Sequence, residues 1–134
     1  MKHCVECNTK LSYRNSKYCS NACQREYERK INIDTWLETG NCVCASSHKR
    51  HYIRLFIIED QDNKCAICNT LAIWNGKELV FVLDHIDGNS ENNARENLRL
   101  VCPNCDSQLP TFKYRNYGNG RHKRKERYAE GKSY

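Results

Sequence analysis

The stretch Asp84-His85-Ile86-Asp87-Gly88-Asn89 is followed by Glu96-Asn97-Leu98 and then by Cys102-Pro103-Asn104-Cys105-Asp106. A carboxylate, a lone imidazole, an amide and a second carboxylate thus fall within 23 residues, bracketed by paired cysteines. A neutral imidazole takes a proton from water, and two carboxylates hold a hard divalent cation beside a phosphate. The set suits metal-assisted phosphodiester cleavage.

Ten cysteines in 134 residues call for either a secreted disulfide scaffold or thiolates that hold metal in a reducing compartment. The start Met1-Lys2-His3-Cys4 has no apolar run, and no stretch approaches the roughly 18 to 20 apolar residues of a membrane span. The cysteines are therefore read as zinc ligands inside a cell. Cys65-x2-Cys68 with Cys102-x2-Cys105 supplies four soft thiolates in two close pairs, which meets the tetrahedral demand of structural Zn²⁺. Cys4, Cys7, Cys19 and Cys23 form a second quartet, in which His3 could replace one thiolate. Cys42 and Cys44 could compose a third site with His48 and His51, but two unpaired cysteines next to a helix are more often simply packed.

The elements that must position these groups follow from the pattern. Residues 1–25 have polar loops and no core of their own, so they fold as an amino-terminal zinc finger around an ion. Residues 26–60 form a helical connector. One helix runs from Ala22 to about Leu37, stopped by Gly40 and Asn41; another, capped by Ser46-Ser47, runs to about Asp60 with Tyr52, Ile53, Phe56 and Ile57 as its apolar face. Residues 61–113 form the module that carries the chemistry. There Trp74-Asn75-Gly76-Lys77 is a turn, Leu79 to Asp84 a strand, Ile86 to Glu96 a tight polar loop and Leu98 to Val101 a returning strand. Pro103 suits a first helical position, so a helix to about Leu109 presents Asp106 in its first turn. The order is strand, loop, strand, helix, with cysteines at the edges.

Residues 114–134 form a basic tail. From Thr111 to Tyr134 the lysines and arginines, among them Lys113, Arg115, Arg121, Lys123, Arg124 and Lys125, exceed the two glutamates by the whole of the chain's +6 charge. With Tyr114, Tyr117 and Tyr128 interleaved, this end suits the sequence-independent part of nucleic-acid binding, or equally a solubilising end.

From Leu83 to Asn89, then Asn92-Asn93, Glu96 to Leu100, Cys102 to Cys105 and Ser107-Gln108, the chain closely resembles the HNH endonucleases, the ββα-metal or His-Me finger nucleases. It is most similar to phage and bacterial members with two Cys-x2-Cys pairs. The likeness spans about residues 50–113; Lys17 to Cys23 also resembles fingers that precede such modules in phage proteins. The resemblance implies a small, zinc-stabilised α+β fold in which a ββα-metal module follows an amino-terminal finger and helices. It makes His85 the general base, Asp84 an acidic metal ligand, Asn97 the brace that orients the base, and Asp106 the third signature residue. At that last place the family usually has His or Asn, and an aspartate favours Mg²⁺ or Mn²⁺ over softer ions.

The implied activity is divalent-metal-dependent hydrolysis of double-stranded DNA, with Arg95 and Arg99 as phosphate contacts near the cleft and the finger and tail gripping the duplex. A single such centre cuts one strand per visit, so a double-strand break calls for a homodimer or sequential nicking. Three other readings stay open. These are a non-catalytic zinc-finger DNA-binding protein, a nuclease for RNA, and an accessory subunit of a phage or restriction assembly.

Overall fold

The computed structural model describes residues 1–42, 51–116 and 129–131, without the side chains of Tyr114 and Asn116. It is a small α+β structure containing two cysteine quartets. No helix among the described residues is long and apolar enough to cross a membrane.

Two short hairpins carry the pairs Cys4-x2-Cys7 and Cys65-x2-Cys68, and they are built alike. Cys4-Val5-Glu6-Cys7-Asn8-Thr9 and Cys65-Ala66-Ile67-Cys68-Asn69-Thr70 share the pattern Cys-x2-Cys-Asn-Thr. In each, the first cysteine donates its N–H to the threonine carbonyl, at 2.8 Å from Cys4 to Thr9 and 2.9 Å from Cys65 to Thr70. Asn8 and Asn69 sit at φ 60° and 61°, the left-handed region that asparagine tolerates, and each closes the turn onto the first cysteine's carbonyl. Bridges His3–Lys10 and Lys64–Leu71 complete the repeat.

Helix α1 covers Asn21–Thr39. The Ser20 hydroxyl accepts from the Cys23 N–H at 3.2 Å, a cap worth about 1 kcal/mol. At the far end Gly40, at φ 73°, donates its N–H to the Trp36 carbonyl at 2.8 Å. Ile33 and Trp36 are the buried positions, three apart and so on one face. The sequence bounds of Ala22 and Leu37 differ by one and two residues. Helix α2 covers Tyr52–Asp60. Its cap is His51, whose Nδ1 accepts from the Ile53 N–H at 3.2 Å. The expected Ser46-Ser47 cap lies outside the described residues. Phe56 of α2 meets the Trp36 ring edge-on at 5.5 Å.

Strands β1 (Ile73–Trp74) and β2 (Lys77–Glu78) form a hairpin around Asn75 and Gly76, both at positive φ, which is the two-residue turn that matches strand twist. Strand β3 is Val82–His85, later than the expected Leu79–Asp84. The shift has a cause: Leu79 donates to the Ala72 carbonyl, and the buried Arg54 guanidinium takes the Phe81 carbonyl, so residues 79–81 spend their backbone groups away from the ladder. Strand β4 is Leu98–Val101, as expected, paired antiparallel with β3 so that Asp84 faces Arg99 and His85 faces Leu98. Its outer edge is covered. Gln61 accepts from the Leu100 N–H and donates to its carbonyl, both at 2.9 Å, and Ala66 donates to the same carbonyl. Helix α3, Pro103–Ser107, is shorter than the expected run to Leu109.

One core joins these parts. Trp36, Ile53, Ile57, Phe81, Leu98, Leu100 and Val101 bury together, with Cys65 and Cys102 at its edge. Trp36 is fully buried, so truncating it to alanine should cost about 3–5 kcal/mol. Among the described residues no buried side-chain polar atom lacks a hydrogen-bond partner.

Candidate active site and cysteine quartets

Asp84, His85 and Asp106 line one open cleft of about 310 Å³ together with Thr111, Phe112 and Lys113. Asp84 and His85 arrive as the last two residues of β3, and Asp106 arrives from the first turn of α3. Asp84 is buried and accepts from Arg99 Nε at 2.7 Å across the ladder. Burial, and then the charge of Asp84, push the Asp106 carboxyl above its ordinary value, while Lys113 pulls it down. Two anions share this cleft and have only partial compensation.

His85 Nε2 lies 2.9 Å from Asn93 Oδ1. With the amide oxygen as acceptor, Nε2 carries the proton and Nδ1 keeps the lone pair. Asn97 is buried beneath the loop and secures it from several sides. Its Oδ1 accepts from the Asp87 N–H at 3.0 Å, and its Nδ2 donates to Asp87 Oδ1 at 2.9 Å and to the Asn92 carbonyl at 2.8 Å. Asp87 also accepts from the Asn92 amide at 2.8 Å and the Asn89 N–H at 2.8 Å. The Asn92 amide, followed by the Asn89 N–H, holds the Asp87 carboxyl below its usual range.

Sequence reasoning gave no role to Asn93 or Asp87. Their signal lay in the density of Asn and Asp between residues 84 and 97, which marks a loop that hydrogen-bonds to itself.

The expected phosphate contacts are engaged within the chain. Arg95 donates to Asp60 at 2.6 Å and to the Leu98 carbonyl at 3.0 Å, tying the single 3₁₀ turn Arg95–Asn97 to α2. Arg99 pairs with Asp84, and Arg115 donates to the Ser107 and Leu109 carbonyls. Lys113 stands exposed at the cleft. Arg121, Lys123, Arg124 and Lys125 lie outside the described residues, as do Cys44 and His48 of the third cysteine-histidine pattern.

Both expected quartets form. The sulfurs of Cys4, Cys7, Cys19 and Cys23 lie within 4.8 Å of one another, and so do those of Cys65, Cys68, Cys102 and Cys105. Among the described residues these are the only groups of three or more potential ligands so close; the cleft carboxylates and imidazole are spread wider. Four thiolates at that spacing fit tetrahedral Zn²⁺.

The electrostatics of the thiols suit a dication. Hydrogen bonding to the Thr70 hydroxyl brings Cys68 down to about 6, and the Cys7 N–H chiefly brings Cys4 to about 6. Burial and the neighbouring sulfurs push Cys105 up to about 12. At Cys23 the lowering pull of the Ser20 hydroxyl is overcome by Cys19 and Cys7, again to about 12. Thiols pushed up in this way become thiolates when a cation is bound beside them. In the second quartet Cys102 also caps α3, its sulfur accepting from the Cys105 N–H at 3.4 Å.

The structure thus combines a small α+β fold, two zinc-type quartets and a cleft holding two acids and one oriented imidazole. The chain is 33% identical over 95 residues, 70% of its length, to the H-N-H endonuclease F-TflIV of Escherichia phage T5. Over those residues the chain is therefore homologous to an H-N-H endonuclease, the family that its motifs resemble. The match takes in 40% of the length of that curated relative. No family model matches the chain, and no solved structure matches it significantly.

Proposed function

We propose that the chain is a divalent-metal-dependent DNA endonuclease in which β3, β4 and α3 form a ββα-metal module. The observation that carries this reading is the cleft that Asp84, His85 and Asp106 share, where the bond from His85 Nε2 to Asn93 leaves Nδ1 with its lone pair. Nδ1 takes a proton from the water that attacks the scissile phosphorus, and the opposite N–H, held by Asn93, keeps the ring in line as charge develops on it. Asp84 and Asp106 are hard oxygen donors fit for Mg²⁺ or Mn²⁺. Such an ion, when bound, supplies positive charge to the phosphate and the leaving 3′ oxygen.

Arg99 pairs with Asp84 across the ladder and braces it. Lys113 stands where a phosphate would approach. By family resemblance the products carry 5′-phosphate and 3′-hydroxyl ends. Duplex DNA as substrate, and the roles of finger and tail in gripping it, belong to the same proposal.

Supercoiled plasmid incubated with the protein and Mg²⁺, Mn²⁺ or neither tests it. Nicked or linear DNA that requires the added ion is the expected outcome. Binding without cleavage under every ion would leave the non-catalytic DNA-binding reading in its place.

A further inference from the structure

Helix α1 reaches the catalytic loop with its carboxyl end. Trp36 Nε1 donates to the backbone carbonyl of Asn93 at 2.6 Å, and the side chain of that same asparagine holds His85 Nε2 at 2.9 Å. A second contact lies beside the first. Gly40, which ends the helix, is so close to Ala94 that a Cβ built on it would stand 3.4 Å from Ala94 Cα and 3.5 Å from its Cβ. The Gly40 cap bond to the Trp36 carbonyl links the two contacts. One helix end therefore grips residues 93 and 94 together. Trp36 itself cannot follow a moving loop, because its ring is fully buried against Phe56.

We infer that Trp36 is a positioning residue for His85. By fixing the Asn93 backbone it sets where the Asn93 amide stands, and so which imidazole nitrogen keeps its lone pair and where that nitrogen points. The other end of α1 lies in the finger, where Cys23 occupies the first turn and belongs to the first quartet. Nineteen helical residues make a rod about 28 Å long, so the first cysteine quartet holds one end of an element whose other end orients the base. The amino-terminal module thereby acts on the chemistry from within the protein, whatever it does to a duplex.

The catalytic consequence rests on the nuclease reading, whereas the hydrogen-bond chain can be tested without it. Trp36→Phe deletes the N–H and keeps a ring against Phe56. Replacement of Trp36 by benzothienylalanine, which keeps the bicyclic shape, serves if the phenylalanine variant fails to hold two zinc ions. Two readouts are taken on the full chain. They are kinetics on plasmid with Mg²⁺, and the ¹⁵N spectrum of the His85 ring at a pH where imidazole is neutral. Expected are a fall in kcat of about tenfold with KM within about twofold, and replacement of the single Nε2–H tautomer by a mixture. Unchanged kcat, or a fall in kcat with the tautomer unchanged, overturns the inference. If wild-type protein cuts nothing, the nuclease reading fails instead, and the ring spectrum alone decides: a mixture in the variant upholds the positioning role, and an unchanged tautomer overturns it.

Discussion

Asp106 and Asp87 show how single carboxylates in one small site take different tasks. Asp106, pushed up by burial and by Asp84, is short of positive charge and suits a hard cation. On the proposed mechanism Asp106→His keeps a ligand but softens it, so cleavage with Mg²⁺ should fall at least tenfold while activity with Co²⁺ or Ni²⁺ rises relative to it. Plasmid cleavage rates across the metal series check this.

Asp87 is held below the ordinary carboxylate range by its amide and N–H donors. A carboxyl lowered on folding stabilises the loop above its unfolded value, and the contribution is lost as pH falls through the lower, folded value. Asp87→Ala should therefore lower the melting temperature at neutral pH, and the gap from wild type should close on strong acidification. Thermal melts against pH measure it. The grouping of Asp84, His85 and Asp106 on one cleft, with Asn97 under the adjoining loop, was legible from residue types and spacing, while their roles as ligands and base belong to the proposed mechanism. Asn93 was not, because a hydrogen-bonding partner of a ring nitrogen has no spacing rule. Nor were the ion pairs of Arg95 and Arg99, which depend on cross-strand register and on α2.

At the scale of elements, the second quartet ties α3 to the first hairpin of its module, and Asp106 directly follows the ligand candidate Cys105. Cys102→Ser removes a sulfur that also caps α3. Metal analysis should then find one zinc in place of two, and plasmid cleavage should be lost with it. Acid should release zinc from both quartets, because protons compete for thiolates.

Strand β4 could be read from its alternating apolar run, and the Asn75-Gly76 turn from its residue types. The late start of β3 could not, since a buried arginine takes the Phe81 carbonyl from another element. The Cys-x2-Cys-Asn-Thr repeat stands openly in the sequence, yet its meaning, two hairpins closed by a left-handed asparagine and a threonine beside the sulfur, emerges only in three dimensions.

Across the whole molecule, the connector helices share one core with the site, while the excess positive charge lies beyond residue 110. A chain ending at Asn116 should bind duplex DNA more weakly at all sequences and with a shallower salt dependence, each lost phosphate contact reducing the slope by about one. Titrations at several salt concentrations give that slope. The core keeps α1, α2 and the β3–β4 pair together, so kcat at saturating DNA should change little. The central claim is that His85 is the base of a phosphodiester hydrolase. Its most direct test is the single-turnover rate of plasmid cleavage with Mg²⁺ by wild type and by His85→Ala, both shown to hold two zinc ions. The predicted result is a loss of about 10²-fold or more in the variant; equal rates for the two proteins would contradict it.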